Sequence, residues 1–189
     1  VEVEAVIAHV YAMLPRNIYI NMEDHHLQAV RTHYRVRHRR PTLRMGLKRA
    51  HFVPAGDKDG VVSLSHKDTG GIMRLYHQYP DHLFEPAQLE TGLYCGVRDE
   101  EGNLISVAGI HFLNPSFNIA AIGNIVTDAA HRGEGLATRC VRGLLDSLFE
   151  RVDNVALNVT EDNIAAITCY EKFGFRTTSR IIEARARLR

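Results

Sequence analysis

Residues 60–189 of this 189-residue chain predict an α/β fold, a mixed sheet flanked by helices. Strand-like and helix-like periodicities alternate along the whole stretch. Residues 119–127 form a near-continuous apolar run, as a central strand covered on both faces would. A glycine-bearing turn follows that run and feeds a long amphipathic helix. These three observations carry the prediction.

In chain order, residues 61–64 (Val-Val-Ser-Leu) read as a first strand and 72–79 as a helix ended by Pro80. Residues 84–89 read as a second short helix. Residues 93–98 and 104–113 read as strands joined by the turn Asp99-Glu100-Glu101-Gly102-Asn103. Gly123-Asn124 interrupts the apolar strand and marks a bulge, or a place where a ligand nears the backbone. The helix from about 136 to 149 sets Leu136, Cys140, Leu144, Leu145 and Leu148 on one stripe, with Arg139, Arg142, Asp146 and Glu150 opposite. Residues 155–159 then read as a strand, 164–173 as a helix, and 180–184 as a closing strand.

Composition sets the class. Hydrophobic residues make up 45% of the chain, enough for a soluble core, and no apolar run reaches membrane-spanning length. The formal charge of +1 gives no argument for a nucleic-acid binder. Cys95, Cys140 and Cys169 fall inside predicted elements without metal-type spacing, so free thiols in a reducing cytoplasm are expected. The other histidines, including the His25-His26 pair, show no zinc-site spacing, and no metal is expected. The chain opens on Val1 rather than a methionine, which leaves an upstream part open.

The chemistry concentrates at His131-Arg132-Gly133-Glu134-Gly135-Leu136-Ala137-Thr138. Glycines ahead of a helix let successive backbone N–H groups converge, and the helix dipole adds positive potential, which suits phosphate oxygens. The P-loop and dinucleotide glycine patterns are absent. The spacing Arg132-x-x-Gly135-x-Ala137 instead resembles the pyrophosphate-binding signature of the GNAT superfamily of acyl-CoA-dependent N-acyltransferases. Downstream, Asn158, Asn163, Ala165, Ala166 and the run Tyr170-Glu171-Lys172-Phe173-Gly174-Phe175 resemble its second hallmark. The resemblance covers about two thirds of the chain.

It implies a mixed sheet with helices on both faces, and acetyl-CoA as acyl donor. Backbone N–H groups of Gly133, Glu134, Gly135, Leu136, Ala137 and Thr138, aided by the Arg132 charge, would then bind the pyrophosphate. Ile125, Val126 and Thr127 would pair with the pantetheine arm along a splayed strand edge, with a main-chain N–H near the thioester carbonyl. Asn158 and Asn163 would offer amide hydrogen bonds, Asn163 being equally a helix N-cap. Tyr170 would be the general acid for the departing thiolate. Many relatives carry an acidic residue on the central strand where this chain has Asn124. His111 is the candidate base, with a structural role as the alternative.

Residues 1–52 hold a partial repeat. Residues 17–22 (Asn-Ile-Tyr-Ile-Asn-Met) align with 154–159 (Asn-Val-Ala-Leu-Asn-Val), and the preceding apolar helix, 5–14, aligns with 141–149. With a one-residue slip, Ala29 and Tyr34 fall on Ala165 and Tyr170. The segment therefore resembles the tail half of another GNAT domain, helix-strand-helix-two strands, without its glycine loop. It is expected to complete a sheet or a dimer. Its basic cluster, Arg35, Arg37, Arg39, Arg40 and Arg44, alternates as a solvated hairpin face would.

The sequence thus predicts transfer of an acetyl or other short acyl group from acyl-CoA to a primary amine on a small molecule or peptide. No membrane or nucleic-acid partner is expected, and a homodimer is a candidate assembly. The competing readings are a non-catalytic acyl-CoA-binding or scaffold module and, resting only on the arginine cluster, a nucleic-acid-binding protein.

Overall fold

The structure, a computed structural model, describes residues 3–79 and 84–189. The fold is mixed α/β, and the chain divides into two compact units. Pro80 lies outside the described residues; the helix expected at 72–79 spans Thr69–Tyr76. Among those described, no helix is long and apolar enough to cross a membrane.

The first unit gathers residues 1–45, 158–164 and 177–189. It opens with helix α1 (Val3–Val10), strand β1 (Asn17–Met22) and helix α2 (Leu27–His33). Two strands complete its sheet: most of β2 (Tyr34–Lys48), and β8 (Arg176–Leu188), which lies between β1 and β2. β1 and β8 pair antiparallel from Asn17↔Arg187 to Met22↔Ile182. Their inward residues Ile20, Ile182, Ala184 and Ala186 pack with Leu27, Val30 and Tyr34, and with Ile7 and Tyr11.

Two expectations change here. Residues 34–48 are one strand rather than a hairpin. His38 takes φ 53 inside it, within the polar run 37–41 that reads as a turn in the sequence. The closing strand spans thirteen residues, because polar Arg185 and Arg187 are the outward half of a two-residue alternation.

The second unit holds residues 46–157 and 165–176. Its strands lie in the order β7-β6-β5-β4-β3: β3 (Val62–Ser63), β4 (Cys95–Arg98), β5 (Leu104–Asn114), β6 (Ile119–Thr127) and β7 (Asn154–Thr160, through Leu157). β6 and β7 are parallel, and the other neighbours antiparallel. Helices α3 (Thr69–Tyr76), α4 (Leu136–Leu148) and α5 (Ile164–Lys172) accompany them. The short helix expected at 84–89 is a 3₁₀ segment at Pro86–Thr91. Leu136, Cys140, Val141, Leu144, Leu145 and Leu148 are the buried stripe of α4.

Candidate functional site

β6 is bulged where Gly123-Asn124 predicts it. Val107 faces Val126 and Gly109 faces Gly123, so Asn124 and Ile125 together oppose Ala108. Asn124 sits at φ 53, a left-handed conformation that asparagine tolerates better than most residues. β5 takes its own extra residue at His111, between the pairs Ile110↔Ile122 and Phe112↔Ala121. The exposed His111 ring lies against the Gly123 backbone, where a Cβ would fall 2.0 Å from Nε2. A larger residue at 123 would displace the ring from this position.

Ahead of the bulge β6 leaves its other neighbour. The parallel register with β7 runs Ile119↔Asn154, Ala120↔Val155, Ala121↔Ala156 and stops there. The edge that carries Ile125, Val126 and Thr127 is thereby left clear of β7 and can pair with an extended, amide-bearing ligand.

The opposite side of this stretch is firmly held. The Tyr76 hydroxyl donates to the Asn124 carbonyl at 2.6 Å, and Tyr79 donates to the Thr127 carbonyl at 2.6 Å. Ser106 Oγ donates to the Val126 carbonyl at 3.2 Å. Asn124 Nδ2 donates to the Tyr94 hydroxyl at 2.8 Å and to Gln88 Oε1 at 3.3 Å. Burial pushes both Tyr76 and Tyr94 above the ordinary tyrosine range, so both act as neutral hydrogen-bonding groups. Asn124 is buried among them.

The strand leads into a shaped turn. Asp128 Oδ1 accepts the Ala130 N–H at 2.8 Å, and Oδ2 accepts Gln78 Nε2 at 2.9 Å. The Gln78 bond, then the Ala130 N–H, hold this carboxyl below the usual carboxylate range. Gly133 and Gly135 take φ 86 and φ 77, and a Cβ on either would meet open space. Glycine is needed for conformation, and the vacant volume beside it is what a ligand requires. Gly135 is the N-cap of α4 and carries no capping side chain, so the first-turn N–H groups of Leu136, Ala137 and Thr138 are left for an anion.

Arg132 stands at the turn in contact with Tyr79. Its Nη2 donates to the Tyr79 hydroxyl at 2.6 Å, and the guanidinium lies over that ring, 5.5 Å from the centroid. The charge is parked on Tyr79 beside the turn. Glu134 is exposed.

Tyr170 is buried on α5, its ring edge-on to Phe175 at 5.9 Å. Burial raises its pKa, which keeps the phenol protonated. Its neighbour Cys169 meets Thr138 Oγ1 of α4 at 3.4 Å, tying α5 to the helix that follows the glycine turn.

Asn158 and Asn163 belong to the first unit. The Asn158 amide is engaged there, accepting from Arg44 Nε at 3.3 Å and donating to Glu183 Oε1 at 3.2 Å. Asn163 is exposed immediately ahead of α5, its N–H donating to the Thr160 carbonyl. In the same unit, Glu23 brings a carboxylate to within 4.8 Å of the ligand atoms of His25 and His26, a neighbour that zinc-type spacing rules do not reveal.

The second unit therefore brings together the β6 edge, the glycine turn, the α4 N-terminus and His111, with Tyr170 on α5. The residues that sequence reasoning misses are Tyr76, Tyr79, Tyr94, Gln88 and Ser106. Gly109 alone hints at them: a Cβ there would fall 2.2 Å from the Tyr94 ring, the close approach that a glycine inside a strand signals.

The sequence profile described as the acetyltransferase (GNAT) family matches residues 63–175. N-alpha-acetyltransferase RimI of Mycobacterium tuberculosis is 39% identical over 85 residues, 44% of this chain and 51% of that protein. Aminoglycoside N(6')-acetyltransferase type 1 of Klebsiella pneumoniae is 36% identical over 59 residues, 30% of this chain and 29% of that protein. The chain thus spans about half or less of the curated relatives it matches. Among solved structures, one assigned to GNAT acetyltransferases from Novosphingobium aromaticivorans superposes with a TM-score of 0.76 at 24% identity, covering 96% of this chain and 80% of that one. A tandem GNAT protein from the clavulanic acid biosynthesis pathway superposes with a TM-score of 0.64 at 15% identity, covering 97% and 68%. Both show the shared fold.

Proposed function

The chain belongs to the acetyltransferase (GNAT) family, and from that premise we propose that it transfers an acetyl or other short acyl group from acyl-CoA to a primary amine. The observation that carries this reading is the departure of β6 from β7 after Ala121, on the strand that leads into the left-handed glycine turn. An amide-bearing arm fits the first feature and a diphosphate the second, in the order that a coenzyme A thioester presents them.

In this reading acetyl-CoA supplies an activated thioester carbonyl. Main-chain groups of Ile125, Val126 and Thr127 hold the pantetheine arm, and a β6 N–H at the bulge faces the carbonyl oxygen as charge develops. Residues 133–138 bind the pyrophosphate through backbone N–H groups, with Arg132 swinging from Tyr79 to add its charge. The amine attacks the carbonyl carbon directly. His111 takes the proton that the ammonium must lose, and Tyr170 gives one to the departing thiolate. Asn158 and Asn163 are proposed amide contacts for the donor.

The acceptor is proposed to be an amine on a small molecule or a peptide, the two classes that the relatives' names describe. Its contacts are assigned to residues 76–118, where Phe112 and Phe117 stand exposed. The free thiols Cys95, Cys140 and Cys169 suit a cytoplasmic setting.

Calorimetric titration with acetyl-CoA, followed by thiol-release assays over pooled amines, tests this reading. Saturable binding with acceptor-dependent thiol release is expected. Binding without release from any amine would leave a non-catalytic acyl-CoA-binding module, and no binding by folded protein would sink the proposal.

A further inference from the structure

The first unit carries a chemical feature that acyl transfer does not use. Its sheet is covered by α1 and α2 on the face that holds Ile20 and Ala184. The alternate residues face the other way. Tyr19 of β1, Arg185 and Arg187 of β8, and Arg35 and Arg37 of β2 are all exposed there. Register places Tyr19 beside Arg185 and Asn17 beside Arg187. With His38 they line a cleft of about 450 Å³.

Two properties separate this face from an ordinary solvated one. Among the described residues, none of the four guanidiniums has a carboxylate or hydrogen-bond partner, whereas neighbouring Arg39 pairs with Asp24 at 2.6 Å. The one acidic residue in the outward row of β8, Glu183, is engaged by Asn158. Like charges on adjacent strands repel, and a polyanion laid across them relieves that repulsion. The second property is the Tyr19 ring, 56% exposed between charged neighbours. An open ring flanked by guanidiniums on extended strands offers stacking to a base and charge to the phosphates beside it. Duplex bases are already stacked, and a bilayer would need several apolar side chains where this face has one ring. Arg185 and Arg187 come from the far end of the chain, so the density of charge emerges only on folding.

We propose that this face binds single-stranded nucleic acid, with Arg35, Arg37, Arg185 and Arg187 on the backbone phosphates and Tyr19 stacked on a base.

Fluorescence anisotropy of the whole chain with a fluorescein-labelled oligouridine, run across a salt series, tests this. Four phosphate contacts predict a slope of log affinity against log salt of about −3. Arg185→Gln combined with Arg187→Gln should halve that slope and weaken binding at least tenfold at low salt. Tyr19→Ala should weaken binding about fivefold or more with the slope kept, and Tyr19→Phe should restore it. Each variant is first required to show the wild-type melting transition. Three results would overturn the proposal. They are no saturable binding at low salt, no effect of the double arginine variant, or equal capture of duplex DNA and phosphatidylserine vesicles without dependence on Tyr19.

Discussion

Tyr170 and Tyr34, which the internal repeat aligns, use their hydroxyls differently. Tyr34 donates to the carbonyls of Tyr11 and Pro15 at 3.2 and 3.4 Å, fastening the segment that follows α1. The Tyr170 hydroxyl makes no hydrogen bond among the described residues, although the ring is buried. A phenol kept neutral and uncommitted is suited to hand over a proton. Tyr170→Phe should therefore keep the acetyl-CoA affinity and melting temperature while slowing transfer about a hundredfold. Single-turnover rates are the measurement, and an unchanged rate would remove the proton-donor assignment.

At the scale of the element, the turn between β6 and α4 should respond to two substitutions in different ways. Gly135→Glu places a side chain on a residue at φ 77 and a negative charge where an anion would bind. It should abolish acetyl-CoA binding by calorimetry while the far-ultraviolet circular dichroism stays native; wild-type affinity would refute the loop assignment. Asp128 acts through folding. Its carboxyl is held below the usual range, so its contribution is present above the unfolded value near 4 and is lost as pH falls through its lower folded value. Asp128→Asn should lower the melting temperature at pH 7, with the gap to wild type closing below about pH 4. A gap that persisted in acid would show that the charge is not what matters.

These elements also divide the legible from the illegible. β6 can be read to the residue, because its apolar run is bounded on both sides by polar turn residues. The glycine turn is legible for the same local reason. The tyrosines that brace β6 are not: Tyr76 and Tyr94 look like core aromatics until the fold sets them against Asn124. Asn158 fits its motif, yet its amide meets Arg44 and Glu183, partners that no linear spacing announces. β2 misleads because its polar run, with one left-handed histidine, stays within a single strand.

Over the whole molecule, the two units differ in what holds them. The first rests on a small cluster around Ile20, Val30, Tyr34 and Ala184. The second is built around Val107, Ile122, Val141, Leu145 and Phe173, all essentially inaccessible. Local opening follows buried apolar contact, so amides of Ile20 and Ala184 should exchange with solvent on the order of tenfold faster than those of Val107 and Ile122. Native-state hydrogen exchange reads this directly, and equal protection would mean that the chain opens as one cooperative body. The pairing of Asn17–Met22 with Ile182–Arg187 also carries a history. β1 is made well before its partner β8, so β1 stays unpaired while the intervening chain emerges. The contiguous stretch from Gly46 to Leu157 has far less to wait for. Assembly of this pair thus cannot follow the order of synthesis, and chaperone demand should peak before β8 arrives.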